Sequence, residues 1–304
     1  MSLLQIIGVS KTFPQRGGGE IWALKDVSLT VKAGEIYGLV GESGCGKTTL
    51  ARMVMSLEKP TVGKILFDGQ DLGQLEDPKA YRRGVQMIFQ DPYDVFNPFR
   101  TIGDSLREVF IFHPEAGQEG KVAYCLKLVQ LTEEMLNRYP HQCSGGQLQR
   151  LALARCLLVG PQLIIADEPT TMLDAPLKRE IHDLLVETSR RLNMGVLLIT
   201  HDFQEAVRLC HRLGIIFQGR LVEEGAGTQL SKAPRHPYTR LLREISTDLG
   251  GFLARDLPLA EGHQREGCPY GPRCPQAQTL CMEFPPWQDV GPGHRVACWN
   301  LKEE

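Results

Sequence analysis

No stretch of this 304-residue chain approaches the roughly 18 consecutive apolar residues that a membrane-spanning helix needs. The N-terminal MSLLQIIGVSKTF lacks a basic segment running into an apolar one, so no secretory signal is expected. Excess charge is missing as well. The 34 Lys and Arg against 36 Asp and Glu leave a net charge of -2, which excludes a broad basic footprint for nucleic acid. No internal repeat is visible. Together these absences predict a soluble chain in a reducing cytosol, able to dock on a membrane protein but not to cross the membrane.

Hydrophobic residues make up 42% and charged residues 23%, enough apolar material for a large core. The length suits one full domain with an appendage. EIYGLV (35–40) is a short apolar run leading into a glycine-rich turn, and TTLARMVMSL (48–57) continues with helical periodicity. Further strands are expected at VQMIF (85–89), Leu163–Ala166 and GVLLITHD (195–202), with an amphipathic helix over Ala175–Leu192 and a hairpin turning at Gln218-Gly219. Strands alternating with helices predict an α/β domain with a largely parallel sheet. Residues from about 100 to 161 read as mostly helical and break that rhythm, so an inserted helical subdomain is expected there. Past about 245, proline, glycine and cysteine take over. The expected division is 1–245 as the main domain and 246–304 as a C-terminal extension.

The most specific local signal is GESGCGKT (41–48), a full match to G-x-x-x-x-G-K-[ST] between a strand and a helix. Glycines let successive N–H groups converge on phosphate oxygens, and the following helix presents its positive end. The candidate nucleotide contacts are Gly41, Ser43, Gly44, Cys45, Gly46, Lys47, Thr48 and Thr49. Lys47 would neutralise the β- and γ-phosphates, and the Thr48 hydroxyl would help hold Mg²⁺. Downstream, the apolar strand LIIA ends in Asp167-Glu168. Asp167 is the expected second anchor of the magnesium shell, and Glu168 is placed to polarise an attacking water.

SGGQ (144–147) ahead of the helix LQRLALARCLL makes a second candidate anion cradle from Ser144, Gly145, Gly146 and Gln147. With the 41–48 loop and Asp167-Glu168, it resembles the ATP-binding-cassette (ABC) ATPases, whose signature is LSGGQ. The resemblance implies a RecA-like parallel-sheet core, an antiparallel β subdomain and an inserted helical subdomain. It implies two subunits closing head to tail on two ATPs, with the signature of one capping the nucleotide of the other. Gln90 resembles the Q-loop glutamine, which senses Mg²⁺ and the membrane subunit. His201 resembles the switch histidine at the γ-phosphate, and Asp174 the D-loop aspartate at the dimer seam. Phe13 resembles the aromatic that stacks on adenine, with Trp22 as runner-up. Three positions depart from the usual pattern: Cys143 where leucine is usual, Met172 where a small residue is usual, and Leu148 where a polar residue is frequent.

Longer segments are similar to the oligopeptide, dipeptide and nickel importer ATPases: QMIFQDPY...FNPFRTIGDSL, YPHQCSGGQLQRLALARCLL, IADEPTTMLD, HPYTRLL and GCPYGPRCP...C...VGPGHRVACW. That resemblance implies a peripheral subunit on the cytoplasmic face of the inner membrane. Its expected partners are a second ABC ATPase subunit, usually a different one, two transmembrane permease subunits and, indirectly, an extracytoplasmic solute-binding protein. DPYDVFNPFR (91–100), with Tyr93, Phe96 and Phe99, is the expected groove for a permease coupling helix. A second class of function, an accessory ATPase of a soluble complex like carbon–phosphorus lyase, uses similar nucleotide domains.

Nine cysteines divide unevenly. Cys45, Cys125, Cys143, Cys156 and Cys210 are scattered and read as small buried residues. Cys268, Cys274, Cys281 and Cys298 crowd the extension with five, six and sixteen residues between them. That spacing lacks paired C-x₂-C and leaves zinc, an iron–sulfur cluster, two disulfides and free thiols open, with His263 or His294 as substitute ligands. The family resemblance implies a [4Fe–4S] cluster, with Zn²⁺ as the alternative, acting as a structural clip or a redox sensor.

Overall fold

The computed structural model describes residues 2–15, 18–75, 77–117, 120–247 and 266–301. Strands β1 (Ser2–Pro14), β2 (Glu20–Lys32) and β3 (Ile36–Val40) are followed by helix α1 (Lys47–Val54), β4 (Val62–Phe67) and β5 (Gln70–Asp71). Next come α2 (Pro78–Gly84), β6 (Val85–Ile88), α3 (Ile102–Arg107), α4 (Val109–Phe112), α5 (Lys121–Leu128) and α6 (Gly145–Leu157). The chain continues through β7 (Leu163–Asp167), α7 (Ala175–Leu192), β8 (Gly195–Thr200), α8 (Phe203–Leu209), β9 (Arg212–Phe217) and β10 (Arg220–Ala226). It ends with α9 (Gly227–Lys232), α10 (Pro237–Thr247), β11 (Gln288–Gly291) and β12 (His294–Val296).

Two compact units emerge. One holds Lys32–Glu35 and Gln74–Leu197, the other Ser2–Val31, Ile36–Gly73 and Leu198–Glu304. In the first unit, β6 and β7 pair in parallel, with Val85 opposite Leu163 and Ile88 opposite Ala166. Leu163, Ile164, Ile165 and Ala166 are all fully buried, as an unbroken apolar strand covered on both faces must be. Burying each Leu or Ile contributes about 1.5–3 kcal/mol relative to leaving it in water. The stretch expected to be helical carries α3 to α6, with short 3₁₀ turns at Glu133–Asn137 and Pro140–Gln142. Helix α7 has the expected bounds. Asp174 caps it by accepting the Leu177 N–H at 3.0 Å, and Asn193 ends it in the left-handed region at φ 50°.

In the second unit, one sheet has the order β2-β1-β4-β5, with β1–β4 and β4–β5 antiparallel. The other runs β11-β12-β10-β9-β3. β3 and β9 are parallel, and β9 and β10 form the expected antiparallel hairpin. Its two turn residues, Gln218 at φ 42° and Gly219 at φ 78°, both lie in the left-handed region that a two-residue hairpin turn requires.

The extension does not stand apart from this sheet: β12 pairs with β10, and β11 with β12. Two consecutive carboxylates on β10 help fix that pairing. Glu223, fully buried, accepts the N–H groups of Arg235 at 2.7 Å and His236 at 3.0 Å, and its Oε1 lies 2.7 Å from His294 Nε2. Glu224 is held by Arg212, Arg295 and the Tyr37 hydroxyl. Buried charges persist only with such partners. The Nε2 atom of His294 is therefore engaged by Glu223; His263 lies outside the described residues.

Candidate functional site

The phosphate loop leaves β3, whose five residues are all buried, and enters α1. Gly44 (φ 79°) and Gly46 (φ 104°) occupy left-handed conformations, and a Cβ on Gly46 would run into the Ala23 carbonyl. Gly46 is the N-cap of α1 without a side-chain cap, so the first N–H groups of the helix are left for an anion. Lys47 is 5% exposed, and its Nζ donates to the carbonyls of Gly41 (2.7 Å) and Glu42 (2.9 Å). Ser43, Gly44 and Thr48 are exposed, Thr49 is half-buried and Cys45 is buried, with its thiol pushed up by burial. Phe13 and Trp22 sit on the neighbouring strands β1 and β2. Lys11 Nζ lies 4.9 Å from the first ring and Lys25 Nζ 5.5 Å from the second. His201 is exposed in the turn after β8, where Asp202 caps α8 through the Glu205 N–H at 2.9 Å.

All of these belong to the second unit, whereas Gln90, Ser144–Gln147, Asp167, Glu168 and Asp174 belong to the first. Asp167 ends β7 and is buried. Glu168 adopts φ 46°, a conformation that costs a non-glycine residue energy and marks functional turns. Its Oε2 accepts the Thr171 hydroxyl at 3.1 Å. The same turn is tied to α7 by a buried Thr170–His182 contact of 3.0 Å, which the sequence reading missed.

Ser144 and Gln147 form a reciprocal capping box on α6: Ser144 Oγ accepts the Gln147 N–H (3.2 Å) and Gln147 Oε1 accepts the Ser144 N–H (3.0 Å). The cap uses the N–H groups of Ser144 and Gln147 and not those of Gly145 and Gly146, the two glycines expected to supply bare N–H groups. These glycines also allow close packing: a Cβ on Gly146 would lie 3.3 Å from Leu177. Gln90, Tyr93, Gly145, Gln149, Met172 and Leu173 line one cavity of about 310 Å³ within this unit.

Of the three aromatics expected to receive a coupling helix, Tyr93 and Phe99 are exposed (51% and 89%) but Phe96 is only 4% exposed. Phe96 follows the Pro92–Val95 3₁₀ turn and packs inward, a correction to its reading as a contact residue. Ile111 and Phe112 on α4, 74% and 70% exposed, are apolar surface of the same unit that the sequence reading did not single out.

The extension keeps all four of its cysteines as free thiols. Burial pushes the Cys268 thiol up to about 11, with smaller contributions from Cys281 and Cys298. Cys298 in turn feels Cys274 and Cys281 after its own burial. The four are thus electrostatic neighbours. Yet among the described residues no group of three or more His, Cys, Asp or Glu is placed to hold a metal ion. The expected metal-binding geometry of the extension is therefore absent from the described residues, and zinc, which needs four ligands around one ion, has no geometric support. The Cys268 Sγ lies 3.9 Å from His236 Nε2.

Residues 24–171 match the family model described as ABC transporter, and residues 222–281 match that of the oligopeptide/dipeptide transporter C-terminal region. The oligopeptide transport ATP-binding protein AppF of Bacillus subtilis is 36% identical over 98% of this chain and 97% of its own length. A putative peptide import ATP-binding protein of Brucella ovis is 36% identical over 97% of each. Among solved structures, the ATP-binding cassette MJ0796, a dimer bound to ADP and Pi, superposes with TM-score 0.65 at 32% identity, covering 73% of this chain and 98% of that one. CbiO1 of Clostridium perfringens gives TM-score 0.68 at 25% identity, covering 82% and 96%. The loop, the capped signature and these relatives agree: the chain belongs to the ATP-binding subunits of the oligopeptide/dipeptide ABC importer family.

Proposed function

We propose that this chain hydrolyses ATP to drive import of peptides or related small solutes, closing with a second ABC ATPase subunit beneath two transmembrane permease subunits. The observation that carries the reading is the phosphate loop itself. Left-handed Gly44 and Gly46, the uncapped start of α1 and Lys47 folded over the loop make a cradle for a polyphosphate. On ATP binding, Lys47 exchanges the Gly41 and Glu42 carbonyls for phosphate oxygens. Phe13 stacks on the base; Gly41, Ser43, Gly44, Cys45, Gly46 and Thr49 supply the rest of the cradle. Glu168 takes the proton of the attacking water, and His201 contacts the γ-phosphate. Gln90 reports the nucleotide to the membrane subunit. Ser144, Gly145, Gly146 and Gln147 cap the nucleotide of the partner, and Asp174 lies at the dimer seam.

Thr48, Asp167 and Gln90 offer the hard oxygen donors that Mg²⁺ prefers and would hold it, where it supplies positive charge against the phosphates. The expected domain division, 1–245 and 246–304, belongs to the same reading. So do the peripheral site on the cytoplasmic face of the inner membrane and the link, through the permeases, to an extracytoplasmic solute-binding protein. In support of a peripheral subunit, no helix among the described residues is long and apolar enough to cross a membrane.

For the extension we infer that Cys268, Cys274, Cys281 and Cys298 would hold a [4Fe–4S] cluster, each supplying one thiolate ligand. Support comes from the four free, mutually interacting thiols. Anaerobic purification should give a brown protein with about four irons per chain; stoichiometric zinc or a metal-free chain overturns the inference. The function as a whole is tested by purifying the intact membrane complex. Co-purification of two permeases and peptide-stimulated ATPase are expected, and a soluble complex without permeases would overturn it.

A further inference from the structure

The residue after Gly41 is Glu42, and three of its groups are engaged. Its carbonyl receives Lys47 Nζ at 2.9 Å. Its N–H donates to the Tyr238 hydroxyl at 3.2 Å. Its carboxylate accepts Arg273 Nη1 at 3.1 and 3.3 Å. Tyr238 belongs to the HPYT segment, and Arg273 lies in the extension immediately before Cys274. These residues share a seat. Tyr238 packs on Phe217 with ring centroids 4.6 Å apart, and Tyr270 meets Phe217 edge-on at 5.4 Å and Tyr238 at 5.4 Å. The Arg273 guanidinium lies 5.5 Å from the Phe217 ring and 6.0 Å from the Tyr270 ring. Tyr238 and Tyr270 are buried, and the Arg273 side chain is only 12% exposed against 38% for Glu42.

A largely buried guanidinium beside two aromatic rings has little freedom left to lose, so its bond to Glu42 is pre-organised. We propose that Arg273, seated against Phe217 and Tyr270, is a positioning residue for ATP binding: by fixing Glu42 it pre-sets the phosphate loop. The cysteine-rich extension thus sets this subunit's affinity for ATP, a role that rests on the ATPase reading but not on any metal. An unheld loop must be ordered by the nucleotide, and that cost falls equally on ground and transition states. It raises KM and leaves kcat at saturation nearly unchanged.

The test uses the purified full chain, with ATP affinity by calorimetry and ATPase kinetics in parallel. Arg273→Gln should weaken ATP binding by about 5-fold, the upper end for a partly exposed ion pair, with KM rising in step and kcat within about twofold. Arg273→Lys should recover part of the loss. In a Glu42→Gln background the Arg273→Gln change should add almost nothing, because the pair is already broken. An effect on the unfolding midpoint with unchanged Kd and KM would show a merely structural contact and overturn the proposal, as would multiplicative penalties in the double variant. Should Arg273→Gln fail to fold, Glu42→Gln breaks the same pair from the exposed side. It must then show the weakened binding, or the proposal falls. Failure of the unaltered chain to bind ATP would instead count against the ATPase reading.

Discussion

Lys47 is a buried cation whose Nζ–H groups are turned onto two neutral carbonyls, Gly41 and Glu42. Neutral acceptors satisfy its donors but not its charge, and a polyphosphate satisfies both. Lys47→Ala should therefore cut ATP affinity by at least about 100-fold, since two charge-assisted contacts are lost; a titration of the chain with ATP checks it. Glu168 presents a different case. Its left-handed backbone costs about 1 kcal/mol or more, and the Thr171 hydroxyl helps hold the side chain in place. Glu168→Gln keeps that hydrogen bond and the shape but not the base. ATP binding should stay near normal, turnover should drop by about 100-fold or more, and an ATP-bound dimer should accumulate on size-exclusion chromatography. Normal turnover would remove Glu168 from its role. The phosphate-loop residues were legible in the sequence because glycine, lysine and threonine at fixed spacing act locally. The hold on Glu42 was not legible, because Arg273 lies 231 positions away.

Among the elements, the hairpin and α7 followed directly from local chemistry: a Gln-Gly step between apolar runs, and a capped amphipathic repeat ending at Asn193. The signature helix was harder. Its glycines suggested bare N–H groups, but the reciprocal cap, which uses the N–H groups of Ser144 and Gln147 and not the glycines', could not be read from that pattern. Ser144→Ala removes that cap and should lower stability by about 1 kcal/mol, with a fall in the unfolding midpoint as the readout. Its ATPase should fall further than this loss of stability accounts for, because the same hydroxyl is proposed to face the partner's nucleotide. The aromatic run DPYDVFNPFR shows where pattern reading fails. A 3₁₀ turn has no sustained period, so nothing in the sequence separates inward Phe96 from outward Phe99. Phe99→Ala should change stability by no more than about 0.5 kcal/mol. It should still reduce stimulation of the ATPase by the permease subunits; unchanged stimulation would free this surface of its proposed partner.

At the scale of the molecule, the composition of the extension suggested a small, irregular metal-binding addition to the main domain. The extension's strands β11 and β12 join the sheet of the second unit, where two adjacent glutamates on β10 take part of their partnering from the extension. His294 and Arg295 provide it, 71 positions downstream. No local window contains both halves of that arrangement. It has a consequence for the whole chain. With β12 in place, β10 is an interior strand; without it, β10 offers unpaired N–H and C=O groups beside Leu221 and Val222, which are buried in the intact protein. Ending the chain after residue 247 would also strip His294 from Glu223, Arg295 from Glu224 and Arg273 from Glu42. The loss should reach several kcal/mol, since a buried carboxylate deprived of one partner keeps its full desolvation cost, and should lower the unfolding midpoint by roughly 5–10 °C. The exposed edge should drive self-association, visible as a concentration-dependent shift on size-exclusion chromatography. Glu223→Gln together with Glu224→Gln in the truncated chain should recover part of the midpoint but none of the monomer, because it removes the stranded charges and leaves the open edge. A truncated chain that stays monomeric with an unchanged midpoint would mean that the extension is an appendage after all.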